Sequence, residues 1–330
     1  MNTEISEILS APSKVYEIAE KTVNNIALTS EEKDAVKSMD AWAREVGKTG
    51  HDKDHEISAF ITRTVNEQLY NAPDYILDQI FNRGSIGEFD DVEYERAVKN
   101  TLVAYDAAKG GNVPRSFLNF KAVAPKWFHK QVETDLSMAD LRKNGWKSIA
   151  QLTTFATEAL QNKMFNEVFA GISAAITGGD QMITATGTAP TLADIDALTL
   201  YLMDHTEDGT QMIVTRNQYA KAIRRMEGFA QYMSDDMKNE YNRYGIVPSI
   251  DGVMVAGISG AKTTGDGASL FPDKLIFGAA GKLGNLDMRG EIRTYQTEDT
   301  NDESIHIKVT GFEFGYALPR IDLAAKIVLG

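Results

Sequence analysis

The feature that most restricts the fold is a long run of helical periodicity near the middle of the chain. Residues 148–170 contain neither glycine nor proline, and Gly178 and Gly179 follow as a stop signal. Apolar residues recur at helical steps, namely Ile149, Leu152, Phe155, Leu160, Met164, Phe165, Val168, Phe169, Ile172 and Ile176. A helix of roughly 30 residues is about 45 Å long. Because its apolar positions wind around more than one face, we expect this helix to contact several other elements.

The last part of the chain, residues 304–330, shows a strand alternation whose phase changes twice. Apolar side chains occupy odd positions over 305–309, even positions over 312–318, and odd positions again over 321–329. A shift of one residue moves the apolar set to the opposite face of a sheet unless a bulge or a turn absorbs it. Gly311 and Pro319 stand at the two switches. The pattern therefore predicts successive strands, interrupted at these two residues.

An extended hairpin is predicted over residues 92–133. Its two long arms meet at Gly110, Gly111 and Asn112, and this joint supplies the positive φ angles that hairpin turns require. The second arm contains two prolines and no uniform alternation, which disfavours a strand in the middle of a sheet. We therefore interpret the pair of arms as a projection from the main body.

The beginning of the chain reads as helical and thinly apolar. Residues 13–27 carry apolar side chains at helical spacing, and Thr29 with Glu32 forms a capping box before a second helical pattern. The stretch GKTGHDKDHE, residues 47–56, is polar and contains two glycines. We interpret it as a linker to the main body.

Composition excludes several classes of protein. The chain contains no cysteine, so disulfides, thiolate catalysis and cysteine-ligated metals are excluded. The net charge of −13 disfavours a protein whose own surface grips nucleic acid, since phosphate neutralisation supplies most of that affinity. An acidic surface suits a container for nucleic acid, although solubility alone explains the charge equally well. No apolar run is long enough to span a bilayer, and the beginning lacks a signal peptide, so we expect the chain in the cytoplasm.

No catalytic, cofactor-binding or metal-binding residues are predicted. His51 and His55 have a spacing that could hold a metal on a helix, but the neighbouring glycines favour a solvated linker. The stretch FGAAGKLG lacks the glycine and the hydroxyl residue of a phosphate loop, because positions 276 and 283 are Ile and Leu. DTNDESIH lacks the glycine of a calcium loop and favours a turn between strands. A Gly-x-Ser-x-Gly elbow is also absent from the sequence.

The order of these elements resembles the major capsid proteins of tailed phages with the Hong Kong 97-type fold. The resemblance is carried by QMIVTRNQYAKAI, LIFGAAGKLG and the ending SIHIKVTGFEFGYALPRIDLAAKIVL, and it covers about residues 57–330. It implies an α+β fold with a leading arm, an extended hairpin loop, a long spine helix, a peripheral domain and an axial domain. The long helical leader departs from the shorter arm of many members.

The resemblance also implies a division of the chain. We expect a helical leading arm and linker at 1–56, an arm or peripheral segment at 57–91 and the extended hairpin loop at 92–133. The spine helix, 148–177, and the peripheral domain would share 134–209. The axial domain would occupy 210–289, and the closing strands of the peripheral domain 290–330.

In function, the resemblance implies a structural protein and not an enzyme. Copies of the chain would self-assemble as hexamers and pentamers into the icosahedral head of a bacteriophage, around double-stranded DNA that is not bound sequence-specifically. The implied partners are scaffolding, portal and decoration proteins, without membrane or cofactor, and the implied location is the virion, after assembly in the host cytoplasm. The alternative is an encapsulin-type nanocompartment shell, and less favoured is an enzyme of unrecognised type.

Two sets of residues are candidates for this role. A hairpin orders backbone without enclosing a core, so it becomes favourable when it lies across a neighbour and buries side chains there. The candidates for this contact are Lys109, Gly110, Gly111, Asn112, Phe117, Phe120, Trp127 and Phe128. In some relatives a hairpin lysine forms a cross-link, but we interpret Lys109 and Lys121 as solvated charges. The predicted core of the spine helix comprises Ile149, Leu152, Phe165, Val168 and Ile172.

Overall fold

The structure is a computed structural model that describes residues 12–49, 54–71, 74–95, 106, 122–206, 211–226, 249–250, 252–259, 269–299 and 303–330. Its helices are α1 Pro12–Val23, α2 Ser30–Thr49, α3 Asp54–Asn66, α4 Tyr75–Ile80, α5 Met138–Asn144, α6 Trp146–Ala175, α7 Leu192–His205 and α8 Asn217–Arg224. The first strands are β1 Phe81–Ile86, β2 Tyr94–Glu95, β3 Ala122–Val123, β4 Lys126–Ser137, β5 Met182–Thr184 and β6 Met212–Arg216. The remaining strands are β7 Ser249–Ile250, β8 Val253–Ile258, β9 Leu275–Ala279, β10 Gly284–Arg289, β11 Arg293–Asp299, β12 Ser304–Ala317 and β13 Ala324–Val328. The predicted α+β class is confirmed.

The predicted central helix is confirmed as α6, which is 30 residues long. It packs against α1, α2, α3, α5, β4 and β12, so it contacts several elements as expected. Two threonines in its buried face, Thr153 and Thr157, donate their hydroxyl groups to the carbonyls of Ile149 and Thr153 at 2.9 and 2.8 Å. These bonds satisfy polar groups that would otherwise destabilise the core.

The first sheet has five strands and is centred on β12. Strands β11 and β10 pair with successive parts of one edge of β12, β4 follows its other edge, and β1 lies parallel to β10. The register of β12 against β4 shifts between Val309 and Phe312, and Gly311 has a φ of 85°. A Cβ on Gly311 would lie 2.6 Å from the carbonyl oxygen of Glu291. The predicted phase change at Gly311 is therefore a bulge, which keeps Ile305 and Phe314 both buried.

The second sheet has six strands in the order β5-β13-β9-β6-β8-β7. Strand β13, which follows β12 in the chain, pairs with β9 and not with β12. The chain therefore crosses from the first sheet to the second after Pro319. This pairing places the strand in one sheet with elements from the predicted axial region, and the predicted domain boundaries stay a prediction. On one face, Phe169 of α6 lies against Phe277, with ring centroids 6.2 Å apart. Lys326 of β13 donates to the carbonyl of Ser173, at 2.7 Å, near the end of α6.

Two helices share the opposite face of this second sheet. Gly278 of β9 pairs with Ile213 of β6, and Ile213 pairs in turn with Val255 of β8. Gly257 lies two residues after Val255 in β8. Paired residues, and residues two apart, point to the same side, so Gly278 and Gly257 face the same way. A Cβ on Gly278 would meet two leucines of α7, whereas one on Gly257 would meet α8. Helix α7 therefore covers the β5 end of this face and α8 covers the β8 end.

The two leading helices, which were predicted to form a leading arm, pack within the subunit. Val15 of α1 and Met39 and Val46 of α2 are buried in the subunit's own core, where α1 packs on α6 and α2 on α5 and α6. The predicted linker at 47–56 is wrong at both ends, since Gly47 lies inside α2 and Glu56 inside α3. The reason is close packing. A Cβ on Gly47 would lie 3.1 Å from the Cβ of Leu141 in α5, so this glycine permits helix contact rather than ending a helix.

The capping box that was predicted before α2 is confirmed. The amide of Thr29 donates to the carboxylate of Glu32 at 2.7 Å, and the amide of Glu32 donates to the Thr29 hydroxyl at 3.3 Å. Among the helices of the described ranges, none is both long enough and apolar enough to cross a membrane.

Candidate functional site

The base of the predicted hairpin is a short antiparallel ladder between β2 and β3. Tyr94 pairs with Val123, and Glu95 pairs with Ala122. This pairing brings together the two ends of the intervening segment, as expected at the base of a hairpin. Most of the hairpin residues singled out from the sequence lie outside the described residues, namely Lys109, Gly110, Gly111, Asn112, Phe117 and Phe120.

A buried carboxylate ties this base to the five-stranded sheet. The hydroxyl of Tyr94 donates to the carboxylate of Asp287 in β10, and Asp287 is 4% exposed. Burial raises the pKa of Asp287 above its ordinary value, and the hydrogen bond from Tyr94 opposes that rise. Burial, followed by the bond to Asp287 and the charge of Asp287, raises the pKa of Tyr94 to about 12. Tyr94 is therefore the donor and Asp287 the acceptor at neutral pH.

Space for this pair comes from the neighbouring strand. Gly84 of β1 is the register partner of Asp287, and a Cβ on Gly84 would lie 2.5 Å from an oxygen of the Asp287 carboxylate. A larger residue at position 84 would displace the carboxylate from Tyr94. Strands β1 and β2 and the sequence-distant strand β10 therefore meet beside the β2–β3 ladder.

The strand that follows the hairpin, β4, carries the two candidate aromatic residues on opposite faces. Phe128 stacks on Phe314 and Tyr316, with ring centroids 5.4 and 5.7 Å apart. The guanidinium group of Arg289 lies 4.0 Å from the ring centroid of Trp127. The predicted hairpin range ended at residue 133, whereas β4 runs along β12 from Lys126. Both aromatic side chains thus have partners in their own chain, and their contact with a neighbour stays a prediction.

An ion pair connects β4 to the spine helix. The ammonium group of Lys130 lies 2.8 Å from the carboxylate of Glu167 in α6, and both side chains are half-buried. The same ammonium lies 5.4 Å from the centroid of Phe128, so it also makes a cation–π contact with that ring. Strand β4 and helix α6 are therefore linked by a direct side-chain contact.

The predicted core residues of the spine helix all lie at or against the hydrophobic core. Ile149, Val168 and Ile172 are fully buried, and Leu152 and Phe165 are half-buried and pack against the core. Phe155, which belongs to the same periodic pattern, is 54% exposed. The helix therefore buries most of its apolar positions and leaves one aromatic ring on its outer side.

Phe89, which lies in the turn between β1 and β2, was not among the residues predicted to be functional. Its side chain is 93% exposed. The turn is held by the carboxylate of Asp90, which accepts from the amide of Gly87 at 3.2 Å, and by Arg289, which donates to the carbonyl of Asp90 at 2.7 Å. Arg293 and Glu88 form an ion pair beside it, at 3.3 Å. The sequence feature that could have indicated it is a phenylalanine among acidic residues in a glycine-containing turn. A solvent-exposed turn of this kind gains nothing from an aromatic side chain.

The residues examined for catalysis are not assembled into a metal site within the described ranges. No group of three or more His, Asp or Glu side chains there could hold a metal ion. His55 lies in α3, whereas His51 falls outside the described residues. The stretch FGAAGKLG forms the end of β9, a connection and the first residue of β10.

No protein-family model and no curated protein matches the sequence. Solved structures do match the fold. A chain of Mycobacterium phage Ogopogo is 14% identical, with 78% of this chain and 92% of that chain covered and a TM-score of 0.53. The capsid of an empty GTA particle, computed with C5 symmetry, is 10% identical, with 77% of this chain and 89% of that chain covered and a TM-score of 0.56. The capsid of Cyanophage P-SCSP1u is 11% identical, with 80% of this chain and 94% of that chain covered and a TM-score of 0.52.

The chain has the fold of phage capsid proteins. The predicted Hong Kong 97-type capsid fold is thereby confirmed.

Proposed function

We propose that this chain is a major capsid protein, which self-assembles into the icosahedral head that encloses double-stranded phage DNA. The observation that carries the proposal is the capsid fold over about four fifths of the chain, shared with the capsid of Cyanophage P-SCSP1u. In this role the chain is a building block of the virion and not an enzyme, and it acts after assembly in the host cytoplasm.

The mechanism that we propose is geometric. The β2–β3 ladder, which is the base of the proposed hairpin, is attached to β10 by the Tyr94–Asp287 hydrogen bond. Ordering an extended segment costs conformational entropy, which is offset when the segment lies across a neighbouring subunit and buries surface there. Closure of a shell then makes many weak contacts collectively strong, because each further contact is made at high effective concentration.

The charge of the chain supports enclosure of DNA without sequence-specific binding. A net charge of −13 gives little attraction to phosphates, so packaged DNA would slide against such a wall instead of adhering to it. Scaffolding, portal and decoration proteins would then complete the particle, with hexamers and pentamers of this chain as the repeating units.

The test is expression of the full chain, alone and together with its genomic neighbours, followed by sedimentation velocity and negative-stain microscopy. We expect rings or closed shells, and nuclease-resistant DNA inside shells made with the packaging machinery. Shells that instead retain a co-purified enzyme would replace this proposal with a nanocompartment. A small oligomer under every condition would overturn both.

A further inference from the structure

Helix α7 presents an unusual apolar outer face. Its inner side is buried through Ile195, Leu198 and Leu202. On its outer side Leu200 is 61% exposed and Met203 is 45% exposed. Apolar side chains on both sides of a surface helix are typical of a helix that a partner covers.

A groove extends this apolar face to the edge of the six-stranded sheet. It has a volume of about 690 Å³ and lies between α7 and the segment that contains β5, with Met182, Ile183, Ala197 and Leu200 in its lining. Strand β5 is the last strand at this end of the sheet as described. Asp180, Asp204 and Asp322 line the same groove, together with Gln181 and His205, so the groove combines apolar side chains with carboxylates.

The two helices on this face of the sheet carry opposite charges. Helix α7 contains three aspartates and neither lysine nor arginine, and Asp196 and Asp204 are exposed. Helix α8 contains no acidic residue, and Lys221 within it and Arg225 directly after it are exposed. The acidic, apolar surface therefore lies at the β5 end and the basic surface at the β8 end.

We propose that the outer face of α7 in one subunit docks against the basic face of α8 in a second copy of this chain. This inference rests on the proposed function and names the contact by which neighbouring subunits form a ring. Two α7 faces would bring aspartate against aspartate, whereas α7 against α8 pairs opposite charges around an apolar centre. The aliphatic stems of Lys221 and Arg225 would cover Leu200. A contact between two different surfaces is head-to-tail, and it closes into a ring when the rotation permits.

The absence of cysteine from the chain permits a direct test. The double variant carries Leu200→Cys and Lys221→Cys. Both positions are exposed, so the variant should fold as the parent does. A short bis-maleimide, added to assembled particles, should give a ladder of linked chains on a denaturing gel that ends at the size of the ring. Each single variant should give no ladder.

Charge exchange provides a second readout. We expect D196K/D204K, and separately K221D/R225D, to lower the assembled fraction by about tenfold or more, since like charges then face each other. The combination of all four changes should restore assembly. Asp34→Lys, an exposed reversal on α2, is the matched control and should assemble normally.

The outcomes separate the two proposals. Shells from the parent chain without a ladder from the double variant would overturn this contact and leave the proposed function intact. A linked dimer from L200C alone would show that two α7 faces meet, which overturns the head-to-tail arrangement. If the parent forms no particles under any condition, the proposed function fails and this inference fails with it.

Discussion

The Tyr94–Asp287 pair makes the hairpin base sensitive to pH. Because the pKa of Asp287 is raised in the folded chain, the folded state holds its proton more tightly than the unfolded state. Its contribution to stability is therefore full below the unfolded pKa of about 3.9 and is lost as pH rises through the folded value. A buried carboxylate thus opposes folding at neutral pH, and Tyr94 reduces that cost.

We predict that Asp287→Asn removes this pH dependence. The amide has the same shape and its oxygen still accepts from Tyr94, but it carries no charge at any pH. The melting temperature of D287N relative to the parent should therefore increase as pH is raised from about 4 to 7. Tyr94→Phe is the opposing control, because loss of the donor leaves the carboxylate unpaired and should lower stability at neutral pH by about 1 kcal/mol or more. A constant difference between D287N and the parent would contradict the argument.

Gly311 gives a second prediction at the scale of single residues. Ala at this position would be strained by the positive φ and would also place its Cβ 2.6 Å from the carbonyl of Glu291, at the bulge of β12. Gly252→Ala is the matched control, since Gly252 has a φ of 81° and nothing lies within 4 Å of its Cβ position. We expect G252A to lower the free energy of unfolding by about 1 kcal/mol and G311A by more. Equal effects in chemical denaturation would show that the bulge yields freely.

At the scale of elements, the spine helix owes its place to a few fully buried side chains. Val168 is fully buried and belongs to the core, whereas Phe155 on the same helix is more than half exposed. Val168→Asp should cost several kcal/mol, about 3 or more, because it buries an unpaired charge, and the chain should become insoluble. Phe155→Asp should keep the subunit folded. Soluble V168D with a parental melting temperature would mean that α6 does not pack as described.

The local sequence pattern was sufficient to predict some elements, but it gave no information about the packing of others. The α6 helix, the capping box at Thr29 and the bulge at Gly311 could be predicted because each depends on neighbours in sequence. The burial of α1 and α2 could not be predicted, since periodicity shows which face is apolar but not what covers it. Gly47 illustrates the difficulty, because a glycine that permits close packing looks like a glycine that ends a helix.

The candidate site was predicted less completely than the fold. The β2–β3 ladder lies within the range of the predicted hairpin, which stays a prediction. The hydrogen bond from Tyr94 joins residues 193 positions apart, so no local sequence pattern could indicate it. Phe89 and the outer face of α7 were missed for another reason. Single apolar residues are ordinary at the surface of a protein, and these became informative only when the structure showed how exposed they are.

At the scale of the whole molecule, assembly and folding should be separable at the hairpin. Both sheets are built from strands outside the segment between β2 and β3. We predict that replacing residues 106–117 with a short Gly-rich turn leaves the subunit folded, with circular dichroism and a melting temperature close to those of the unassembled parent, but prevents stable shells in sedimentation. A Gly/Ser segment of the original length is the control that separates length from side chains. Normal shells from the shortened chain would disprove the role of the hairpin, and global unfolding would show that it belongs to the core.

The crossing of the chain from β12 to β13 has a consequence for synthesis. Strand β12 is the centre of one sheet and β13 lies inside the other, and each follows all other strands of its sheet in the chain. On the ribosome, the five-stranded sheet cannot close until residue 317 has left the exit tunnel, and the six-stranded sheet cannot close until residue 328 has done so. Nascent chains arrested before residue 304 lack both strands, so we expect the residues of both sheets to stay sensitive to protease. Truncated products would be degraded before they reach a growing particle.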